Sequence, residues 1–225
     1  MKIMEFIQYF FYLGFNWNWR IAVYIISQEI KGEKKYGLHT TGSDELKKLK
    51  AEGVDTSHAT VYMPITYFQL DEMFKALPAA SREHFLDIGC GKGRAICVAA
   101  HNGYNKVTGI DFSKQFCVEA IENLLITKKM FPSLDFSVIH NNAAKVEISN
   151  DVDCIFLFNP FDLVIMKKVV QNIEQSLQKH PRNLNVAYAN PLYKDLFLKK
   201  KFKEIYYNRR MNYLELSILN FRHPS

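Results

Sequence analysis

The sequence predicts an α/β fold: a doubly wound, mostly parallel seven-stranded sheet that ends in an antiparallel hairpin and follows an N-terminal helical extension. Three observations predict it. From residue 84 onward, short apolar runs alternate with longer segments of helical period, the pattern of strand–helix–strand units. The first unit is punctuated by Asp87-Ile88-Gly89-Cys90-Gly91-Lys92-Gly93, a glycine turn of the kind that lets backbone approach a ligand closely. Near the C-terminus, the strand-like runs 202–207 and 213–219 are separated only by a short link around Arg209-Arg210. That link is too short for a crossover helix, so the two runs must pair antiparallel.

Taken in order, residues 1–30 carry an apolar stripe at steps of three and four: Ile3, Phe6, Ile7, Phe10, Leu13, Trp17, Ile21, Tyr24, Ile25 and Gln28. Asn16-Trp17-Asn18-Trp19 is expected to break it into two helices. Gln8, Asn16, Asn18 and Arg20 interrupt the apolar run, so it does not read as a membrane span, and it has no signal-peptide cleavage pattern. Two roles fit: a helix pair packed on the domain or over its ligand, or a weak contact with a membrane surface, where Trp and Tyr are favoured. Residues 31–60 are polar and punctuated by Gly32, Gly37, Gly42 and Gly53, with a short helix at 43–50 capped by Ser43. They read as a lid. The expected organisation is therefore an extension over 1–60 and an α/β domain over 61–225.

Within that domain a helix is expected over 66–77, ended by Pro78. Strands are expected at 84–88, 107–111, 135–140, 152–158 and 184–189. Helices are expected at 93–102, 113–130, 162–179 and 193–199. The continuous apolar run Cys154-Ile155-Phe156-Leu157-Phe158 suits a strand covered on both faces.

Composition bounds the function. The chain has 225 residues, 48% hydrophobic and 23% charged, so it reads as one globular domain with an extension. Its four cysteines, Cys90, Cys97, Cys117 and Cys154, form no C-x-x-C pair. That predicts a reducing, cytoplasmic setting and no metal site. The net charge of +6 comes with lysine pairs such as Lys34-Lys35 and Lys128-Lys129. Most fall on predicted helices and read as solvated faces, although a nucleic-acid partner is compatible with the charge.

The glycine turn carries the chemistry. A dinucleotide fingerprint requires G-x-G-x-x-G, but the position of its third glycine is Arg94. The spacing present is D-x-G-x-G-x-G. A second strand follows and ends in Asp111, 18 residues beyond Gly93, close to the ~20 expected when one helix intervenes. A carboxylate there can accept both hydroxyls of a ribose. Its other possible role is to cap the next helix.

The run from Asp87 to Gly93, with Asp111, resembles motif I and the ribose-binding acid of the class I S-adenosylmethionine (SAM) dependent methyltransferases. The resemblance implies SAM as cofactor, held by Asp87, Gly89, Cys90, Gly91, Gly93 and Asp111, with Phe112 packing on adenine and Asn142 contacting the adenine amino group. It also implies a seven-stranded sheet. At the end of the fourth strand, Asn159-Pro160-Phe161 resembles motif IV of the amino-methyltransferases, shortened by one proline. That implies a nitrogen acceptor, with Asn159 and the Pro160 carbonyl accepting hydrogen bonds from the target amine and Phe161 stabilising its charge. Residue types alone also allow Pro160 as simple punctuation and Asp162 as a helix cap. His140 and Asp162 are candidate bases, Asn190-Pro191 could line the acceptor side, and Tyr62 and Tyr67 could close the pocket. Tyr62-Met63-Pro64 faintly resembles an element of the protein-lysine methyltransferases. The acceptor itself, whether a protein side chain, a nucleic-acid base or a small molecule, is not specified. A SAM-binding protein without catalysis and an RNA-modifying enzyme are the alternatives.

Overall fold

The computed structural model describes residues 2–41, 64–78, 82–158 and 161–223. The elements run α1 (Lys2–Asn16), α2 (Trp19–Tyr36), α3 (Tyr67–Ala76), β1 (His84–Ile88), α4 (Arg94–His101), β2 (Lys106–Asp111), α5 (Lys114–Met130), β3 (Asp135–His140), a 3-10 turn (Ala143–Lys145), β4 (Cys154–Phe158), α6 (Leu163–Lys179), β5 (Leu184–Ala189), α7 (Lys194–Leu198), β6 (Lys203–Arg210) and β7 (Leu214–Phe221). The expected helix at 43–50, and Tyr62, Asn159 and Pro160, lie outside the described residues.

The seven strands form one sheet in the order β3-β2-β1-β4-β5-β7-β6. β1 to β5 are parallel where they pair, and β7 lies antiparallel between β5 and β6. Strand order reverses between β1 and β4, so the ligand crevice belongs at their carboxyl ends. One sheet face is buried under α3, α4 and α5, with Leu70, Met73, Phe85, Ile96, Leu124 and Phe156 in its core. The other is buried under α6 and α7, with Ile155, Leu157, Met166, Ile173, Tyr188 and Phe197. Coverage on both faces explains why β1 and most of β4 are buried without alternation.

The N-terminal helices form a hairpin. Asn18 caps α2, its side-chain oxygen accepting from Ile21 N–H at 2.9 Å. Tyr9, Leu13, Ile21, Ala22 and Ile25 make its core. The stripe read from the sequence is therefore only partly the buried one. Tyr9 and Ala22 are buried, whereas Ile7 is exposed. A second correction concerns Gly32, read as loop punctuation. α2 continues through it to Tyr36, because the Tyr67 ring packs directly on Gly32, where a Cβ would lie 2.1 Å from ring carbons. The helix ends instead at Gly37, in left-handed conformation with φ 68°. Residues 31–36 are thus helix rather than lid. Residues 39–41 are held by side chains: Glu33 accepts from Thr40 N–H and Thr41 N–H at 3.0 and 2.9 Å.

The hairpin is joined to the sheet domain by a buried ion pair. Arg94, the first residue of α4, donates to Glu29 of α2 through both terminal nitrogens, at 2.9 and 2.5 Å. It also donates to Thr40 Oγ1 at 2.7 Å and the Ile65 carbonyl at 2.6 Å. The guanidinium lies 4.1 Å from the Tyr67 ring centroid, a cation–π geometry. Burial pushes the Glu29 carboxyl upward, and Arg94 and Thr41 oppose it. Removing one member of such a pair leaves a buried charge without compensation. Glu29→Ala is therefore expected to lower stability by about 3–5 kcal/mol, and Glu29→Met combined with Arg94→Leu by less. Urea unfolding of the two variants checks the order.

Candidate functional site

The glycine turn leaves β1 and enters α4 at the carboxyl edge of the sheet. Gly89, Gly91 and Gly93 have φ of 89°, 50° and 79°, a region that side chains with a Cβ adopt at a cost. Space is tight as well, since a Cβ at Gly93 would lie 3.0 Å from that of Ala120. Gly109 on β2 plays a supporting part: a Cβ there would meet the Cys90 sulfur at 2.7 Å.

The turn is stitched to β2 by its own amides. Gly89 and Cys90 N–H both donate to the Ile110 carbonyl, at 2.8 and 2.9 Å, and Gly93 N–H donates to the Cys90 carbonyl at 2.9 Å. Gly91 N–H donates to Asp111 Oδ2 at 2.8 Å. Four amides of the turn are thus satisfied within the chain. A diphosphate loop would keep such amides for its ligand; this turn instead presents glycine surfaces, carbonyls and two acids.

Those acids are Asp87 and Asp111, both buried. Asp111 Oδ1 accepts from Ser113 N–H at 2.9 Å. Burial raises its carboxyl to about 6, against bonds from the Ser113, Gly91 and Phe112 amides and the nearby His140. Each of its oxygens keeps a further lone pair. Asp87 stands apart, for its Oδ1 is buried and has no hydrogen-bond partner among the described residues. Burial, reinforced by the Asp111 charge, pushes the Asp87 carboxyl well above the usual carboxylate range. An orphaned carboxylate oxygen in a crevice asks for a donor or a cation.

The other residues singled out by sequence divide into two groups. His140 ends β3 opposite Asp111, and its Nε2 donates to the Phe112 carbonyl at 2.9 Å. Phe112 is half-buried beside it, and Asn142 follows, its side-chain oxygen accepting from Ala144 N–H at 2.9 Å. These residues gather with Asp87 and Asp111 along the carboxyl edge. Cys90 is buried, and burial pushes its thiol well above the usual range. It is a packed side chain, not a nucleophile. Asp162, a candidate base, caps α6 by accepting from Val164 and Ile165 N–H at 2.9 and 3.0 Å. Phe161 is buried in the core cluster that contains Leu157, Met166 and Tyr188. Asn190, at the end of β5, takes a left-handed φ of 48° and accepts from Glu215 N–H at 3.1 Å. Tyr67 packs beneath Arg94 and bonds Thr40 at 2.9 Å.

Sequence reading missed Arg94 except as the residue that spoils a dinucleotide fingerprint. A signal was present: Arg94 heads a run of small and apolar residues, Ala95 to Ala100, that are all buried. A cation there requires a buried acid. Glu29 carries the matching signal, lying on the buried stripe Ile21, Ile25, Gly32 and Tyr36 of α2.

Among the described residues no cluster of His, Cys, Asp and Glu could hold a metal ion. A family model described as a methyltransferase domain matches residues 85–180, the span from β1 through α6. No curated protein matches the chain. Solved structures do. A segment titled StiE O-MT residues 961-1257 superposes with a TM-score of 0.55 at 11% identity, covering 71% of this chain and 75% of that one. A putative S-adenosylmethionine dependent methyltransferase from Listeria monocytogenes gives 0.53 at 14% identity, covering 69% and 98%. A ribosomal protein L11 methylase from Lactobacillus delbrueckii subsp. bulgaricus gives 0.51 at 16% identity, covering 70% and 79%. At such identities the superpositions speak to fold alone. Residues 85–180 thus match a methyltransferase domain, and the parallel sheet with its terminal antiparallel hairpin and the D-x-G-x-G-x-G turn accord with SAM as its cofactor.

Proposed function

We propose that the chain transfers a methyl group from SAM to a nitrogen atom of an acceptor, with the carboxyl edge of β1, β2 and β4 as the site. The observation that carries the reading is the unpartnered Asp87 oxygen beside a glycine turn whose own amides are already used. SAM fits that donor set: it offers an ammonium group to a bare carboxylate and a ribose diol to a second one, and carries no phosphate. Asp87 is assigned the ammonium and Asp111 the diol. The bare glycine surfaces of Gly89, Gly91 and Gly93 admit the chain between them. Phe112 and Asn142 stand at the adenine side, on the β2–β3 edge.

When bound, SAM supplies an electrophilic methyl carbon on a positively charged sulfur. The protein's part is alignment, which accounts for several orders of magnitude in displacement reactions. Asn159 is assigned to orient the acceptor nitrogen by accepting its N–H, which leaves the lone pair aimed at the methyl. Phe161, two positions on, is buried in the core. The acceptor class, whether protein side chain, nucleic-acid base or small amine, is left to the surface around this edge. The shortened motif keeps one other reading in play, a SAM-binding protein without transfer.

The two raised acids make cofactor binding depend on pH in a definite direction. Burial raises Asp111 to about 6 and pushes Asp87 well above the usual carboxylate range, so both resist ionisation in the protein alone. SAM favours both carboxylates, so its binding lowers their proton affinity and releases protons. Affinity should rise as pH rises through about 6 and fall below it by up to about tenfold per pH unit for each acid that must lose its proton. Calorimetric titration with SAM in buffers of different ionisation enthalpy measures this. Proton uptake on binding, or saturable binding of NAD instead of SAM, would sink the assignment.

Asn159→Ala tests the transfer step separately. With radiolabelled SAM and an acceptor that wild-type protein methylates, the variant should bind SAM with unchanged affinity. It should turn over about 10²-fold more slowly or worse, the scale of losing one positioned contact in the transition state. Unchanged turnover would remove Asn159 from the chemistry, and label recovered as an oxygen ether would replace the nitrogen assignment.

A further inference from the structure

The face of the α1–α2 hairpin turned away from the sheet is unusual for a solvent-facing surface. Phe11, Phe15 and Trp19 are 48%, 76% and 47% exposed, and they form one cluster. The Phe11 and Phe15 rings stack at 6.2 Å and Phe15 meets Trp19 edge-on at 5.3 Å. Trp19 is fixed there because its indole lies on Gly14, where a Cβ would come within 2.2 Å of the ring. Beside the cluster runs a groove lined by Phe6, Ile7, Phe10, Phe11, Ile26 and Ile30, with no polar lining.

Among the described side chains, charge on the same helices is one-sided. On α2, Trp19, Val23, Ile26 and Ile30 recur at steps of three and four and make a line along the helix. Arg20 and Lys31 each stand one step on from that line, and Lys34 continues it; all three are exposed. The described acids of α2 are both committed inward: Glu29 is buried against Arg94, and Glu33 is bonded to Thr40 and Thr41. Among the described side chains of the hairpin, the exposed charges are all cations.

We propose that this outer face of the hairpin docks on an anionic lipid bilayer, lying in its interface without crossing it. Apolar and aromatic side chains with flanking lysine and arginine are the chemistry of interfacial helices. Helices satisfy their own backbone there, and cations beside the apolar line are attracted to acidic headgroups. Lying, rather than spanning, follows from size. α1 has 15 residues, ~22 Å of helix against the ~30 Å of a hydrocarbon core. No described helix is long and apolar enough to cross a membrane.

The proposal does not depend on the methyl acceptor and is tested by binding alone. Full-length protein is incubated with vesicles of equal parts phosphatidylcholine and phosphatidylglycerol, and with vesicles of phosphatidylcholine only. It should co-sediment with the first far more than the second, be released by added salt, and show tryptophan emission quenched by brominated acyl chains. Phe11→Ser with Phe15→Ser should weaken binding by about tenfold or more while leaving SAM affinity unchanged. Arg20→Glu with Lys31→Glu and Lys34→Glu should abolish the preference for phosphatidylglycerol. This second variant carries the test if the serine variant loses its native circular dichroism. Absence of sedimentation with acidic vesicles overturns the proposal, as does binding that both variants leave intact. A chain that is dimeric in solution and becomes monomeric in the serine variant also overturns it, because a second copy then covers the face.

Discussion

The buried pair between Glu29 and Arg94 is the interaction on which the rest of this structure depends. Arg94 opens α4, directly after the last glycine of the turn, so whatever fixes Arg94 fixes the start of that helix. Its guanidinium gathers four separate pieces of chain: Glu29 of α2, Thr40 in the segment after α2, the Ile65 carbonyl ahead of α3, and the Tyr67 ring within it. Buried charge is costly unless fully bonded, and two charges taken from water seldom add much net stability. What the pair does add is register. Of the ways an apolar hairpin could pack against an apolar domain, only one places Glu29 opposite Arg94, and every other strands a charge.

The glycine turn is constrained from the opposite side by β2. Its Gly89, Cys90 and Gly91 amides go to Ile110 and Asp111, while Asp87 Oδ1 has no partner among the described residues. Two carboxyls raised by burial, Asp87 further by the Asp111 charge, are an unfavourable arrangement in the protein alone. Structures keep such arrangements where a ligand relieves them. Those two raised acids and the four amides already used within the chain are why the proposed ligand is a cationic, diol-bearing cofactor in place of a phosphate-bearing one. Together with the family match over residues 85–180, this makes the acids, more than the glycines, the specific part of the site.

The strands and helices from residue 84 were legible because their signals are local: apolar runs for buried strands, glycines at a turn, and Ser113 and Asp162 at helix starts, where both do cap. The hairpin of β6 and β7 followed from a link too short for anything else. What escaped reading was set by contacts between residues far apart in sequence. Gly32 looks like a breaker until Tyr67, 35 positions on, is seen to fill the space of its missing side chain. Arg94 and Glu29 are 65 positions apart, and neither has meaning alone. The apolar stripe of the first helix was read as a single face. The helix in fact has apolar residues on two, and periodicity cannot say which of them meets the domain. At the site, the turn and Asp111 were readable as a motif, whereas the burial of Phe161 depends on packing that a motif does not encode.

The two faces of the hairpin bear on how an attached enzyme would be held. Burying an exposed phenylalanine is worth about 1.5–3 kcal/mol, so the outer aromatic cluster can supply several kcal/mol to a surface. Pulling the hairpin from the domain would sever the Glu29–Arg94 pair, at roughly 3–5 kcal/mol, and also strip Met211 from the hairpin's cluster and Tyr67 from Gly32. Opening therefore costs at least as much as docking returns. On that balance the proposed surface contact leaves the hairpin seated. The bond network running from α2 through Arg94 to the glycine turn then ties the orientation of the cofactor site to that of the hairpin. The same short chain of contacts that sets the cofactor turn would thus set the angle at which its carboxyl edge meets an acceptor.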